Sequence, residues 1–288
     1  MTEWLDTLIQ GGLLGGLYAL FALGLSITYG VMRLVNIAHG DFIVLAAYLA
    51  LWPVTLLGLH PFVAIVPVAV LMFGVGYVLQ RVLLNRTLGP DILAPLLVTF
   101  GLSILIQNGL LETFSADAKS LQIGALATAS LQLGESIAVG WLPVIMFGVA
   151  IGLTLAVDAL FKRTPVGMAL RATSDDPATA GLMGIRAPHV YALALGLSFA
   201  LVAVGGVFAG IRTTFSPEAG SAYLIYAFEA VVIGGLGSLW GTFAGALVLG
   251  VAQAVGARID AGMGVLAGHL VFLAVLLLKP SGLFARTK

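Results

Sequence analysis

HVYALALGLSFALVAVGGVFAGI, residues 189–211, runs for 23 residues without one Asp, Glu, Lys or Arg. As a helix at ~1.5 Å per residue it is about 34 Å long, enough to cross the ~30 Å hydrocarbon core of a bilayer. Runs of similar character recur on both sides of it. The spans expected from them are 8–30, 36–57, 61–80, 92–113, 141–161, 189–211, 222–237, 240–257 and 263–279. The segment 222–237 is the weakest, being short, carrying Glu229 and ending in the glycine cluster GGLGS; it reads either as a full crossing or as a half-membrane hairpin.

Composition supports the same reading. Hydrophobic residues make up 60% of the 288 positions and charged residues only 9%, against the ~25% charge of an ordinary soluble domain. Mean hydropathy is +1.10. Thirteen basic and thirteen acidic residues cancel, which excludes the basic footprint of a nucleic-acid binder. Without cysteine there is no disulfide framework, thiolate metal site or cysteine nucleophile. The 37 glycines lie mostly inside apolar runs, including Gly12-x-x-x-Gly16 and Gly206-x-x-x-Gly210, where small residues let membrane helices approach closely. The N-terminus, MTEWLDTLIQ, lacks the basic region of a secretory signal, so the first span is expected to be retained.

Lys and Arg collect in three places: Arg81 and Arg86; Lys162, Arg163, Arg171 and Arg186; and Lys279, Arg286 and Lys288. Basic loops stay in the cytoplasm, so these three define the inner face. The expected fold is an all-α polytopic transmembrane bundle of eight or nine spans, N-terminus periplasmic and C-terminus cytoplasmic. An odd number, nine, fits the two ends. Residues 1–288 read as a single membrane domain, with a cytoplasmic loop at 162–188 and an outer segment, 114–140, that caps the outer mouth or forms short strands. No Gly-Lys dipeptide occurs, so there is no Walker A phosphate loop and any ATP-driven step belongs to another chain. The four histidines are dispersed, which argues against a metal site; no cofactor is expected.

The loop RTPVGMALRATSDDPATAGLMGIRAPHV (163–190) contains a helix signal. Asp176 and Pro177 form an N-cap and first-turn pair, and Gly184 with Pro188 ends the helix they start. The expectation is a short helix, about 177–183, exposing Ala180, Leu182 and Met183. A helix this short is marginal in water, so it needs a docking surface, either a partner protein or the inner ends of the chain's own helices.

The string Arg171-Ala172, Asp176, Ala180-x-Leu182-x-Gly184-Ile185 resembles the coupling-loop signature of LivH-type permeases in bacterial branched-chain amino acid ABC importers. Residues 26–48 (SITYGVMRLVNIAHGDFIVLAAY) resemble the same family, Asn36, His39 and Gly40 matching its N-x-A-H-G. So do VTFGLSILIQN (98–108) and FEAVVIGGLGSLWGTFAGALVLG (228–250). Pro177 and Ala178 depart from the family pattern. The resemblance implies a second, LivM-like permease, two cytoplasmic ABC ATPase subunits, a periplasmic substrate-binding protein, and alternating access driven through the 177–183 helix. It assigns ATPase coupling to Arg171, Ala172, Asp176, Ala180, Leu182, Gly184 and Ile185.

Polar side chains in lipid are costly and are functional candidates by default. On that ground Thr99, Ser103, Gln107, Asn108, Glu229, Gln253 and His269 are candidates for the translocation path, with Asn36, His39 and Asp41 at an inner turn as gate residues. Each has a plainer reading: Glu229 at the outer interface beside Tyr223 and Tyr226, His39 as a helix cap, and the others as cross-links between helices. The alternative function is an ATP-independent secondary transporter or a channel for small neutral solutes such as urea or amides. Few ionisable groups sit in the spans, which weakens the secondary-transporter reading.

Overall fold

The computed structural model describes residues 2–89, 93–132 and 138–284. Eleven α-helices account for most of them: α1 (Thr2–Met32), α2 (His39–Leu57), α3 (Pro61–Val82), α4 (Leu93–Phe114), α5 (Trp141–Arg163), α6 (Pro165–Asp175), α7 (Pro177–Leu182), α8 (Ala187–Arg212), α9 (Gly220–Gly234), α10 (Leu239–Ile259) and α11 (Gly264–Leu278). Among the described residues, eight helices are long and apolar enough to cross a membrane. The expected spans therefore stand, apart from 222–237 and the start of 36–57. The basic tail residues Arg286 and Lys288 lie outside the described residues, as does Ile92 at the start of the fourth expected span.

Buried α1 and α8 form the centre. Their interface is made by small residues: the Ser198 hydroxyl donates to the Gly24 carbonyl at 2.8 Å, and Thr242 of α10 donates to Ser26 of α1 at 2.9 Å. Arg258 near the end of α10 pairs with Glu3 near the start of α1. Helices α8 and α10 thus both run antiparallel to α1. Since α8 ends at the end where α1 begins, and α10 begins at the end where α1 finishes, the chain between them must cross the bundle.

That crossing is made by α9, which has 15 residues and is only ~22 Å long. That is short of the ~30 Å core; the 3-10 turn Pro217–Ala219 before it and the non-helical residues 235–238 after it complete the traverse. This segment is the ninth expected crossing, beside the eight span-length helices among the described residues. The tail docks on the end of α9: the N–H groups of Leu283 and Phe284 donate to the carbonyls of Ile233 and Gly234 at 2.8 and 3.0 Å.

A second departure concerns residues 36–38. They are non-helical, so the expected second span is shorter at its start. Met32 ends α1, yet the His39 side chain reaches the Phe21 carbonyl, eleven residues (32 − 21) or ~16 Å back along α1. Residues 33–38 therefore climb inside the bundle, and α2 begins within it. Asn36, His39 and Asp41 are not at an inner turn exposed to the cytoplasm; all three are buried.

The 114–140 segment forms the expected short strands, β1 (Ser130–Gln132) and β2 (Ala138–Gly140), paired antiparallel with Leu131 opposite Val139. It also covers the end of α8: Lys119 and Phe215 exchange backbone hydrogen bonds of 2.9 Å, and the Leu121 N–H donates to the Gly210 carbonyl at 2.8 Å.

Candidate functional site

Non-helical backbone at membrane depth is tolerated only inside protein or along a cavity, and two N–H groups of 33–38 find side-chain acceptors. The Ala38 N–H donates to Asn36 Oδ1 at 3.1 Å, and the Ile37 N–H donates to Thr99 Oγ1 of α4 at 3.2 Å. His39 Nε2 donates to the Phe21 carbonyl at 2.8 Å, which leaves the buried Nδ1 without a partner. Two residues on, Asp41 accepts from Gln107 Nε2 at 2.9 Å, and Gln107 also reaches Ser103 Oγ at 3.2 Å. Asn36 Nδ2 is buried and unmatched. The structure thus gathers Asn36, His39, Asp41, Thr99, Ser103 and Gln107 into one cluster between α2 and α4. Asn108 is not part of it: it is exposed and bonds only the Ile104 carbonyl of its own helix, at 2.8 Å.

Glycine makes this junction possible. A Cβ on Gly40 would stand 1.8 Å from the Gly220 carbonyl oxygen at the start of α9, so the two elements meet backbone to backbone.

A second cluster lies where α9, α10 and α11 meet. Glu229 is 3% exposed, and its Oε1 lies 2.5 Å from His269 Nδ1. Instead of ending at a watery interface beside Tyr223 and Tyr226, it is enclosed and paired with α11. Its Oε2 is unmatched. Gln253 accepts from the Tyr18 hydroxyl at 2.5 Å and leaves its own Nε2 unmatched. The Tyr18 and Tyr226 rings stand 4.9 Å apart. Tyr18 and Arg212 were missed by sequence reasoning. Tyr18 sits in an apolar stretch, and Arg212 closes a span where a terminal cation draws no notice; Arg212 Nη1 is buried without a partner. Among the described residues no group of three or more His, Asp or Glu side chains is placed to hold a metal ion.

The 162–188 loop contains two helices, not one. Thr164 caps α6 by accepting from the Gly167 N–H at 3.0 Å, with Pro165 in the first turn. Its buried face, led by Leu170, packs on Leu23, Ile27 and Val157. Asp176 then caps α7, accepting from the Ala178 and Thr179 N–H groups at 2.9 and 3.1 Å and from the Thr179 hydroxyl at 2.5 Å. That hydroxyl, with the two N–H groups, holds the Asp176 carboxyl below the usual carboxylate range.

Within α7 the expectation is corrected at one residue. Ala180 is 5% exposed and points inward, while Leu182 and Met183 are 87% and 80% exposed. The Ala180 carbonyl accepts from the N–H groups of Met183 and Ile185, both at 3.1 Å. Gly184, at φ +82°, turns the chain in the left-handed region that closes helices. The Ala172 carbonyl accepts the Asp176 N–H at 3.1 Å, Ile185 packs on the Leu170 cluster, and Arg171 makes no ion pair among the described residues.

A helical bundle with a non-helical re-entry, enclosed polar clusters and a capped helical appendage between two spans is the architecture of a membrane transport protein. The comparisons specify which. The family model described as "Branched-chain amino acid transport system / permease component" matches residues 7–279, and the chain belongs to that family. It is 32% identical over 299 residues to the high-affinity branched-chain amino acid transport system permease protein BraD of Pseudomonas aeruginosa, covering 99% of this chain and 96% of that protein. It is 26% identical over 297 residues to LivH of Escherichia coli K12, the shares being 98% and 96%. Among solved structures it is similar to PsaBC from Streptococcus pneumoniae in complex with Fab, at a TM-score of 0.52 and 17% identity, covering 97% of this chain and 96% of that one. At that identity the likeness is one of fold. The chain is a multi-pass membrane permease.

Proposed function

We propose that this chain is a single permease domain forming one half of the translocation path of an ABC importer in the bacterial inner membrane, carrying branched-chain or similar hydrophobic amino acids. Its partners are a LivM-like second permease, two cytoplasmic ABC ATPase subunits that hydrolyse ATP in its place, and a periplasmic substrate-binding protein. The names of the relatives support the substrate class. The observation that carries the mechanical part is α7, a helix capped at both ends and anchored by Ala180, which turns two large apolar side chains to solvent.

In this reading Leu182 and Met183 enter a groove of an ATPase subunit, while Arg171, Ala172, Asp176, Gly184 and Ile185 keep the segment stiff enough to transmit displacement. Asn36, His39, Thr99, Ser103, Gln107, Glu229 and Gln253 line or gate the path, several of them holding unmatched polar atoms that a passing zwitterion satisfies. Alternating access requires contacts that differ between the two states, and short or broken elements repack at less cost than full-length helices.

Co-purification with the ATPases tests the coupling. Leu182→Asp with Met183→Asp is expected to abolish ATPase association and ATP-dependent uptake into proteoliposomes while leaving the permease folded. Undiminished association would reject the α7 assignment, and uptake by this chain alone without ATP would reject the importer.

A further inference from the structure

Between the inner ends of α1, α5, α6 and α10 lies a cavity of about 210 Å³. Its wall carries Lys162, Arg171 and Ser174, with Asp158 as the acid facing them. Lys162 and Asp158 are paired at 2.8 Å, so the uncompensated charge of the cavity rests on Arg171. Arg171 makes no ion pair among the described residues, and its Nε is buried without a hydrogen-bond partner. Arg171 lines the cavity, and an acceptor for the unpaired guanidinium would sit there. The start of α10 borders the same space, with Ser238 capping Gly241 and the positive end of the helix facing the cavity region.

We propose that this cavity binds the phosphate group of an anionic phospholipid from the inner leaflet. Arg171 takes phosphate oxygens in its planar fork, and Lys162, paired with Asp158 but 63% exposed in its side chain, stands beside it as a further hydrogen-bond donor. Two features favour a lipid. Leu155 is 52% exposed and shares the face of α5 with Asp158 and Lys162, at i, i+3 and i+7, so an acyl chain leaving the cavity meets an apolar track. Trp240, in the cavity wall and 42% exposed, is the residue type that settles at the headgroup level. The cytoplasmic leaflet is the anionic one, and basic pockets between helices on that side hold acidic headgroups. The choice of leaflet rests on the cytoplasmic placement of this end in the proposed importer.

Native mass spectrometry of the assembled importer tests this, with phosphatidylglycerol, phosphatidylcholine and inorganic phosphate as separate probes. Phosphatidylglycerol should be retained about fivefold over phosphatidylcholine, the size expected for one cation at an anionic surface. Arg171→Gln should remove the preference and Arg171→Lys should keep most of it. Leu155→Glu, on the lipid-facing side of α5, should weaken retention without touching the cations. Equal retention of both lipids, or retention unchanged in Arg171→Gln and Leu155→Glu, would overturn the proposal. Displacement of the lipid by millimolar phosphate would overturn the lipid source in favour of a free anion, and disulfide cross-linking of Arg171→Cys to a cysteine introduced on an ATPase subunit would give the site to the partner. Thiol labelling of Arg171→Cys from each side of the membrane reports orientation separately, so reversed topology is not mistaken for absent lipid selectivity.

Discussion

Gly40 in the first turn of α2 and Gly220 at the start of α9 touch through their backbones, leaving no room for a Cβ: one on Gly40 would stand 1.8 Å from the Gly220 carbonyl oxygen. The start of α2 and the start of the short helix α9 thus brace one another. Gly40→Ala must push them apart, at the ~1–3 kcal/mol typical of overpacking. A lowered thermal unfolding midpoint in detergent is the expected outcome, with Gly12→Ala, where a Cβ meets nothing within 4 Å, as the neutral control.

The Glu229–His269 contact joins a buried carboxyl to a half-buried imidazole, and removing the imidazole strands the carboxyl. Leaving a buried polar group without its partner is unfavourable, whereas a neutral replacement costs less. His269→Ala should therefore destabilise the permease more than Glu229→Gln, and the double variant should recover part of the loss. Additive effects in this double-mutant cycle, read by thermal unfolding, would show that the two side chains do not interact.

Tyr18→Phe removes the donor to Gln253 Oε1 while Gln253 Nε2 is already unmatched. The amide then has no partner at either end, at a cost of ~1–3 kcal/mol. Adding Gln253→Leu should restore stability, because two apolar groups replace two unmatched polar ones. The check is the thermal unfolding midpoint of the single and double variants.

Asp176 governs the start of α7. Its folded pKa is depressed by the Thr179 hydroxyl and the Thr179 and Ala178 N–H groups, so its capping contribution is present in full above the unfolded value of ~3.9 and fades as pH falls through the lower folded value. Protection of the Ala178 and Thr179 amides in hydrogen exchange should hold from neutral pH down to about 4 and drop below it. Asp176→Ala should lose that protection at neutral pH and weaken ATPase association, while Asp176→Asn, which also caps, should keep most of both.

The full-length spans were legible because a run such as 189–211 has no other stable fate in lipid. What escaped was short or tertiary. Asn36-Ile37-Ala38 joins smoothly to the apolar residues after it, so nothing local shows that helix begins only at His39; that start is set by Thr99 and Phe21, distant in sequence. Helix α6 was hidden by its polar composition, although Thr164-Pro165 is an N-terminal signal as clear as Asp176-Pro177. In α7, fewer than two turns cannot reveal by periodicity which side chain turns inward, and Ala180 is buried because α6 and α8 lie behind it. Glu229 and His269 stood out singly as intramembrane polar residues, but their pairing depends on how α9 packs on α11, which no motif encodes.

The docking of Leu283 and Phe284 on Ile233 and Gly234 bears on biogenesis. A segment whose closing bonds come from fifty positions downstream (283 − 233) cannot settle while the ribosome is still making them. The full-length spans can enter the bilayer in order of synthesis, but α9 must wait, loosely held, until the last hydrophobic stretch and the residues after it have emerged. Its final seating is the step at which an unfinished or shortened chain would be exposed to membrane proteases.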